Sequence, residues 1–238
     1  MQQFSEDVIG EALLAYLDGD YTPNIVVKSS FGEDTLSISY LYRTAKQLSK
    51  IEKTALKLCK GKILDVGAGS GCHSLLLQKQ KLDVKAIDVS KGAVEVMMKR
   101  GINAFNINFY KETYQFDTLL FLMNGVGIAG TIKGLKKLLK KAKTLLNENG
   151  QILLDSSDIA YMFIEGDGSM RIDLNAPYYG EVSYQMQYKN LQSKPFDWLF
   201  IDFNLLKNIA NSLGLECDLL VEGPHFDYLA KLTLRKRV

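Results

Sequence analysis

The sequence predicts an α/β fold, a doubly wound and mostly parallel sheet with its last strand antiparallel. Three observations lead there. Short apolar runs alternate with amphipathic stretches from Lys62 to Asp155, the rhythm of strand–helix–strand units. The first run, Ile63–Val66, ends in the glycine-rich turn Gly67-Ala-Gly-Ser-Gly71. Near the end, two further runs are joined through Gly223-Pro224, a link too short for a crossover, so they must pair antiparallel.

Each element has a local reason. Ile63–Val66 reads as a buried strand, and Gly71–Gln80, with Leu75, Leu76 and Leu77, as the helix after it. Val84–Asp88 is the second strand, and Ser90 is placed to cap a helix running through Arg100. Ile102–Ile107 and Phe116–Met123 read as the third and fourth strands. Thr131 is placed to cap a helix to about Asn147, with Asn149-Gly150 as its stop signal, and Gln151–Asp155 is the fifth strand. Phe203–Leu213 reads as a helix closed by Gly214, followed by strands at Glu216–Val221 and Tyr228–Leu234.

Two segments lie outside this repeat. Residues 1–61 read as an N-terminal extension or cap, with helical patterns at Val8–Leu17 and Thr44–Leu58 and a strand at Ile25–Lys28. Residues 62–238 form the main domain. Within it, residues 164–199 are tyrosine-rich and alternate polar with apolar over Glu181–Tyr188, which predicts antiparallel strands inserted after the fifth strand.

Whole-chain properties narrow the function. The 238 residues are 47% hydrophobic and 24% charged, a globular balance with enough apolar material for a large core. A net charge of +2 gives no electrostatic footprint for nucleic acid, so no nucleic-acid partner is expected. The densest basic run, Lys133 to Lys143, falls at helical spacing and reads as a solvated helix face. Cys59, Cys72 and Cys217 are far apart with no C-x-x-C pairing, so neither a disulfide framework nor a metal site is expected. With no signal-peptide pattern at the start and no apolar run of spanning length, the protein is expected to be cytoplasmic, away from membranes.

The glycine turn carries the chemistry. Between strand and helix, Gly67 and Gly69 can take backbone angles closed to other residues and let a ligand approach the main chain. The spacing is G-x-G-x-G, not the G-x-G-x-x-G of dinucleotide sites. Asp65 stands two residues before the first glycine, where a carboxylate repels a pyrophosphate but suits a ligand with an ammonium and a sulfonium. Asp88, with Val89 beside it, ends the second strand about 20 residues on, the place from which an acid accepts both ribose hydroxyls. Ribose recognition does not separate NAD from S-adenosylmethionine; Asp65 favours the latter as cofactor.

Ile63-Leu-Asp-Val-Gly-Ala-Gly-Ser-Gly resembles the first motif of class I S-adenosylmethionine-dependent methyltransferases, and Ala86-Ile-Asp-Val-Ser their second-strand motif. The resemblance continues through Phe116-Asp-Thr-Leu-Leu-Phe and Leu145–Asp155, covering about residues 62–156, and is closest to bacterial members without an assigned substrate. It implies a seven-stranded sheet, with Gly67, Ala68 and Gly69 along the methionine part and Asp88 on the ribose. Asn108 falls where the family often has an acid contacting the adenine amino group, and an amide oxygen can accept the same bond.

In an open α/β sheet, ligands bind beyond the carboxyl ends of the strands. Asn124 after the fourth strand, Asp155 and Asp158 after the fifth, and His225 in the terminal hairpin are therefore rim candidates. His225 is the candidate base, should the nucleophile need to lose a proton; a turn residue without chemistry is the other reading. Asp155 and Asp158 either orient a substrate amine or cap the next element. Arg43, near Tyr40 and Tyr42, either clamps a carboxylate of cofactor or substrate or is a surface arginine at a helix start. Tyr178, Tyr179, Tyr184, Tyr188 and Trp198 form a lid or cation cage, or the buried faces of strands. The reading that follows is methyl transfer to O or N of a small molecule. Its alternatives are a protein or RNA acceptor, or a non-catalytic module that binds the cofactor.

Overall fold

The computed structural model describes residues 7–169 and 175–235. The chain opens with α1 (Val8–Leu17) and the hairpin β1 (Asn24–Ser29) and β2 (Gly32–Ser37), then α2 (Lys50–Leu58). There follow β3 (Lys62–Val66), α3 (Cys72–Lys79), β4 (Asp83–Asp88), α4 (Lys91–Lys99), β5 (Ala104–Asn106), β6 (Phe116–Phe121), α5 (Ile132–Thr144) and β7 (Leu146–Ser157). Next come β8 (Glu181–Tyr188), β9 (Leu191–Gln192), β10 (Phe196–Leu199), α6 (Phe203–Ser212), β11 (Leu215–Glu222) and β12 (Asp227–Leu234).

The main sheet has seven strands in the order β11-β12-β7-β6-β3-β4-β5. The pairs from β7 to β5 are parallel, and β12 is antiparallel to both β7 and β11. Its faces are divided by the strands' period of two. Leu64, Val66, Leu119, Phe121, Ile152 and Leu154 pack with the apolar sides of α5 and α6. Ile63, Leu120, Leu122 and Leu153 turn the other way and pack with Ile51, Ala55 and Leu56 of α2 and Leu77 of α3.

A second sheet is antiparallel throughout, in the order β10-β8-β1-β2, with β9 on β8. Its central pairing joins distant segments, Val26 with Gln187 and Val27 with Met186. Helix α1 docks on α4 where Gly10 meets Gly92, a contact too close for a Cβ on Gly92. Asp7 serves both helices, its carboxylate accepting from the amides of Gly10 (3.1 Å) and Gly92 (2.8 Å).

Some boundaries differ from the sequence reading. The helix expected from Thr44 is a 3-10 turn at Ala45–Gln47, then extended Leu48, then α2. Two capping boxes compete here, Thr44 with Gln47 and Ser49 with Glu52, and the second starts the longer helix. The third strand shrinks to three residues. Asn149-Gly150 does not stop α5, which ends at Thr144; the pair lies in the irregular start of β7, with Asn149 left-handed (φ +61°). The register shift between β6 and β7 falls at that point.

Ser156, buried in β7, donates to Asn124 Oδ1 (3.0 Å) and accepts from the Ile201 amide (3.0 Å), tying the end of β6 to the chain leaving the second sheet. Ser156→Ala leaves that buried amide unpaired and is expected to cost about 1–3 kcal/mol in urea denaturation. An unchanged midpoint would show the tie to be unimportant.

Candidate active site

From β3 the chain moves to β4 and β5 on one side of the sheet, and from β6 to β7 on the other. The order reverses beside β3, where the ends of the strands leave a crevice. Gly67 (φ +69°) and Gly69 (φ +56°) both take left-handed angles there. A Cβ on Gly69 would meet nothing within 4 Å, and one on Gly67 only Ile128 at 4.0 Å, so the turn presents bare backbone to open space. Asp88 accepts from the Gly69 amide (2.9 Å) through Oδ2 and from the Ser90 amide (2.9 Å) through Oδ1. Each oxygen retains a lone pair for a further donor.

The crevice is one side of a cavity of about 490 Å³. Asp65, Gly67, Ala68, Gly69, His73, Asp88 and Val89 line that side, and Leu36, Met186, Phe196, Asp197 and Trp198 of the second sheet line the opposite one. Trp198 presses onto the backbone of the 3-10 turn Gly125–Ala129, where a Cβ on Gly127 would lie 2.0 Å from Nε1 of the indole. That turn begins with Met123 (φ +64°) and Asn124 (φ +53°), two consecutive left-handed residues. Asp155 holds it, accepting from the amides of Met123 (3.0 Å) and Gly125 (3.0 Å). Burial pushes the Asp155 carboxyl up to about 7 against those two amides.

The inner end carries a buried ionic group that sequence reasoning missed. Oε1 of Glu52 accepts from Nη2 of Arg43 (2.5 Å) and contacts Nε2 of His73 (2.8 Å). Its Oε2 accepts from the Ser49 amide (2.8 Å). Burial alone would push Glu52 up, but His73, Ser49 and Arg43 hold it below the ordinary carboxylate range. Burial would push His73 down, yet its contacts with Cys72 and Glu52 and the nearby charge of Asp65 raise it to about 10. His73 is therefore an imidazolium at neutral pH. Asp65, 2% exposed, accepts from the Ser74 hydroxyl (2.7 Å), and burial raises its carboxyl against the pull of His73 and Ser74.

Several sequence candidates are engaged elsewhere. Arg43 is buried, stacked over Tyr40 at 3.5 Å and paired with Glu52, so its carboxylate is one of its own chain. Tyr42 donates to the Leu13 carbonyl (2.7 Å) and stacks on Tyr16. Asn108 caps a 3-10 turn by accepting from the Tyr110 amide, while Asn106 donates to the carbonyls of Asp88 and Val89 and steadies that strand end. Asn124 donates to the Leu199 carbonyl and accepts from Ser156. Asp155 is spent on the turn, and Asp158 accepts from Ala160 and from the Tyr179 hydroxyl (2.7 Å). His225 is exposed in the β11–β12 hairpin. None of these eight candidates (Arg43, Tyr42, Asn108, Asn124, Asp155, Asp158, Tyr179 and His225) lines the cavity. Of the aromatic set, Trp198 does; Tyr188 is buried in the cluster around α1.

A bare glycine turn, an acid at the end of β4 and a buried acid beside His73 together form one wall of the cavity. Asp88 keeps lone pairs open beside the turn, and the backbone of Gly67 and Gly69 leaves room for a ligand to pass along it. Asp65, buried beside His73, adds a carboxylate to the same wall. The residues present fit S-adenosylmethionine.

The comparisons agree. A methyltransferase dependent on S-adenosylmethionine from Bacteroides fragilis, solved with S-adenosylhomocysteine, is 42% identical. The match covers 98% of this chain and 99% of that one, with a TM-score of 0.92. The sugar N-methyltransferase KedS8 from Streptoalloteichus is 16% identical over 83% of this chain and 92% of its own, with a TM-score of 0.60. CalS10, an amino pentose methyltransferase from Micromonospora echinaspora, is 14% identical over 79% and 92%, at 0.55. The last two share the fold. No family model and no curated protein matches. The chain belongs to the S-adenosylmethionine-dependent methyltransferases; it is an enzyme, and S-adenosylmethionine is its cofactor.

The histidine gives a pH signature. Its folded pKa lies above the unfolded 6.5, so the native state holds more protons between the two values. Its contribution to stability is complete below about 6.5 and is lost as pH rises towards 10. Unfolding free energy of the wild type is expected to fall across that window, and that of His73→Gln to fall less. Parallel curves would show that His73 is not charged in the fold.

Proposed function

We propose that the enzyme transfers a methyl group to O or N of a small molecule. The observation that carries this reading is the cavity's second wall: Leu36, Met186, Phe196 and Trp198 face the glycine turn across about 490 Å³, a space of small-ligand size. The basic residues of α5 do not line it, which weighs against RNA. In this reading residues 1–61 and the inserted strands act together as the cap over a methyltransferase domain of residues 62–238.

S-adenosylmethionine bound there would supply a methyl group activated by its sulfonium, leaving as S-adenosylhomocysteine once the methyl is transferred to the acceptor's lone pair. The protein's part is positioning and exclusion of water. Gly67, Ala68 and Gly69 pass along the methionine portion, and Asp88 with Val89 takes the ribose. Asp65 would receive the ammonium and His73 the carboxylate, one of the roles open to Arg43 from the sequence. Arg43 acts through Glu52 as a positioning residue for His73. Asn124 and Asp155 set the Met123–Gly125 turn and touch neither partner. His225 stands outside the cavity, so no histidine base is assigned there.

Two measurements test this. Asp88→Ala is expected to weaken S-adenosylmethionine binding about 10- to 100-fold by calorimetry, as loss of charge-assisted bonds should; unchanged affinity removes Asp88 from the site. With labelled methyl donor, counts are expected in a small-metabolite filtrate of cell extract. Counts only in protein or RNA would overturn the small-molecule reading.

A further inference from the structure

The two sides of the cavity differ in charge. Asp65, His73 and Asp88 line the side of the glycine turn, and each is already engaged: by Ser74, by Glu52, and by the amides of Gly69 and Ser90. The second sheet supplies the other side, and its register sorts its side chains by face. Residues directly opposite across an antiparallel pair share a face, as do residues two apart along a strand. Leu36 lies opposite Ile25, Met186 opposite Val27 and Phe196 opposite Tyr184. That register puts Leu36, Met186, Phe196 and Trp198 together on the face that lines the cavity. Asp197, opposite Ser183, and Lys28, opposite Gln185, fall on the other face. Asp34, opposite Val27, shares the inner face but is exposed and does not line the cavity. Met123, Ile128 and Ala129 complete this half, so among the described residues no ionisable side chain is turned into it.

We propose that the methyl acceptor is an aromatic amine, bound uncharged with its ring among Leu36, Met186, Phe196 and Trp198. This deepens the small-molecule reading, rests on it, and chooses between the two atoms it leaves open. An aliphatic amine is an ammonium at neutral pH, and a carboxylic acid is an anion. Either would give up its water to an apolar wall and gain no counter-charge. A hydroxyl enters uncharged, but it needs a base to take its proton as the methyl group arrives. Glu52 is held by Arg43 and His73, Asp65 and Asp88 are engaged at the turn, and His225 stands outside the cavity. An aromatic amine meets both conditions, because it is neutral in solution and holds a lone pair without first losing a proton. That lone pair forms the N–C bond, and the electron pair of the broken C–S bond stays with S-adenosylhomocysteine. The product's nitrogen then gives its extra proton to water on release, leaving the N-methyl aromatic amine.

Probe binding and the partition of label test this. Enzyme saturated with S-adenosylhomocysteine would be titrated by calorimetry with α-naphthylamine, α-naphthol, α-naphthylmethylamine and α-naphthoate. The first two, which are neutral, are expected to bind at least about tenfold more tightly than the ammonium and the carboxylate. Met186→Glu should bring the ammonium level with the neutral amine or above it. Leu36→Glu sets the same charge on the wall if the first variant no longer holds S-adenosylhomocysteine. With cell extract as the source of acceptor, labelled product should pass into organic solvent at neutral pH and return to water in strong acid, as an N-methyl aromatic amine does. Charged probes that bind as tightly as neutral ones, no binding of either neutral probe, or an order that neither variant changes overturns the proposal. So does label that stays in water at neutral pH, or label that strong acid leaves in the solvent, as it would a methyl ether. Label only in protein or RNA, with the probe order intact, would instead overturn the small-molecule reading alone.

Discussion

The carboxylate of Glu52 is the point on which the cofactor end depends. It is 4% exposed and gathers Arg43, His73 and the Ser49 amide, fastening the segment ahead of α2 to the first turn of α3. Helix α3 starts directly after the glycine turn, so the same group fixes where that turn lies against the N-terminal residues. Ser70 adds to this by donating to the Leu41 carbonyl, and Arg100 reaches the Ser70 carbonyl at 2.5 Å. Removing one member of such a buried set leaves a charge without its partner, at a cost of about 3–5 kcal/mol. The result is an inner cavity wall with charge fixed in place before any ligand arrives.

The opposite wall is assembled from two remote stretches. The β1–β2 hairpin and strands β8 to β10 are short, and each alone would leave unpaired edges. Pairing β1 with β8 covers an edge on each and brings Leu36 and Met186 to the same cavity as Phe196 and Trp198. Helix α1, seated on α4 through the Gly10–Gly92 contact, carries that hairpin to its place over the crevice. Two regions that look like separate additions are one structural unit.

Polar residues at strand ends show why site assignment from sequence stops short. Asp155, Asn124 and Asp158 sit at the rim, where a ligand contact is a reasonable expectation. Each is taken up by backbone or side-chain partners, because the turns there leave amides that must be paired. A carboxylate satisfying two amides and one satisfying a substrate ammonium are the same letter in a sequence. His73, in the first turn of α3, lines the cavity although no motif in the sequence marks it.

By itself, the sequence determined the doubly wound sheet, its antiparallel closing strand and the cofactor turn with Asp65 and Asp88. Those features are local: strand period, capping residues and glycines at fixed spacing write themselves into a few consecutive positions. Only the tertiary structure decided what faces the turn. It joined residues 24–37 to residues 181–199, paired Arg43 with Glu52 in place of a ligand, and set His73 against the same carboxylate. These depend on which distant segments share an edge and how deeply each charge is buried, and no short stretch of sequence carries either quantity.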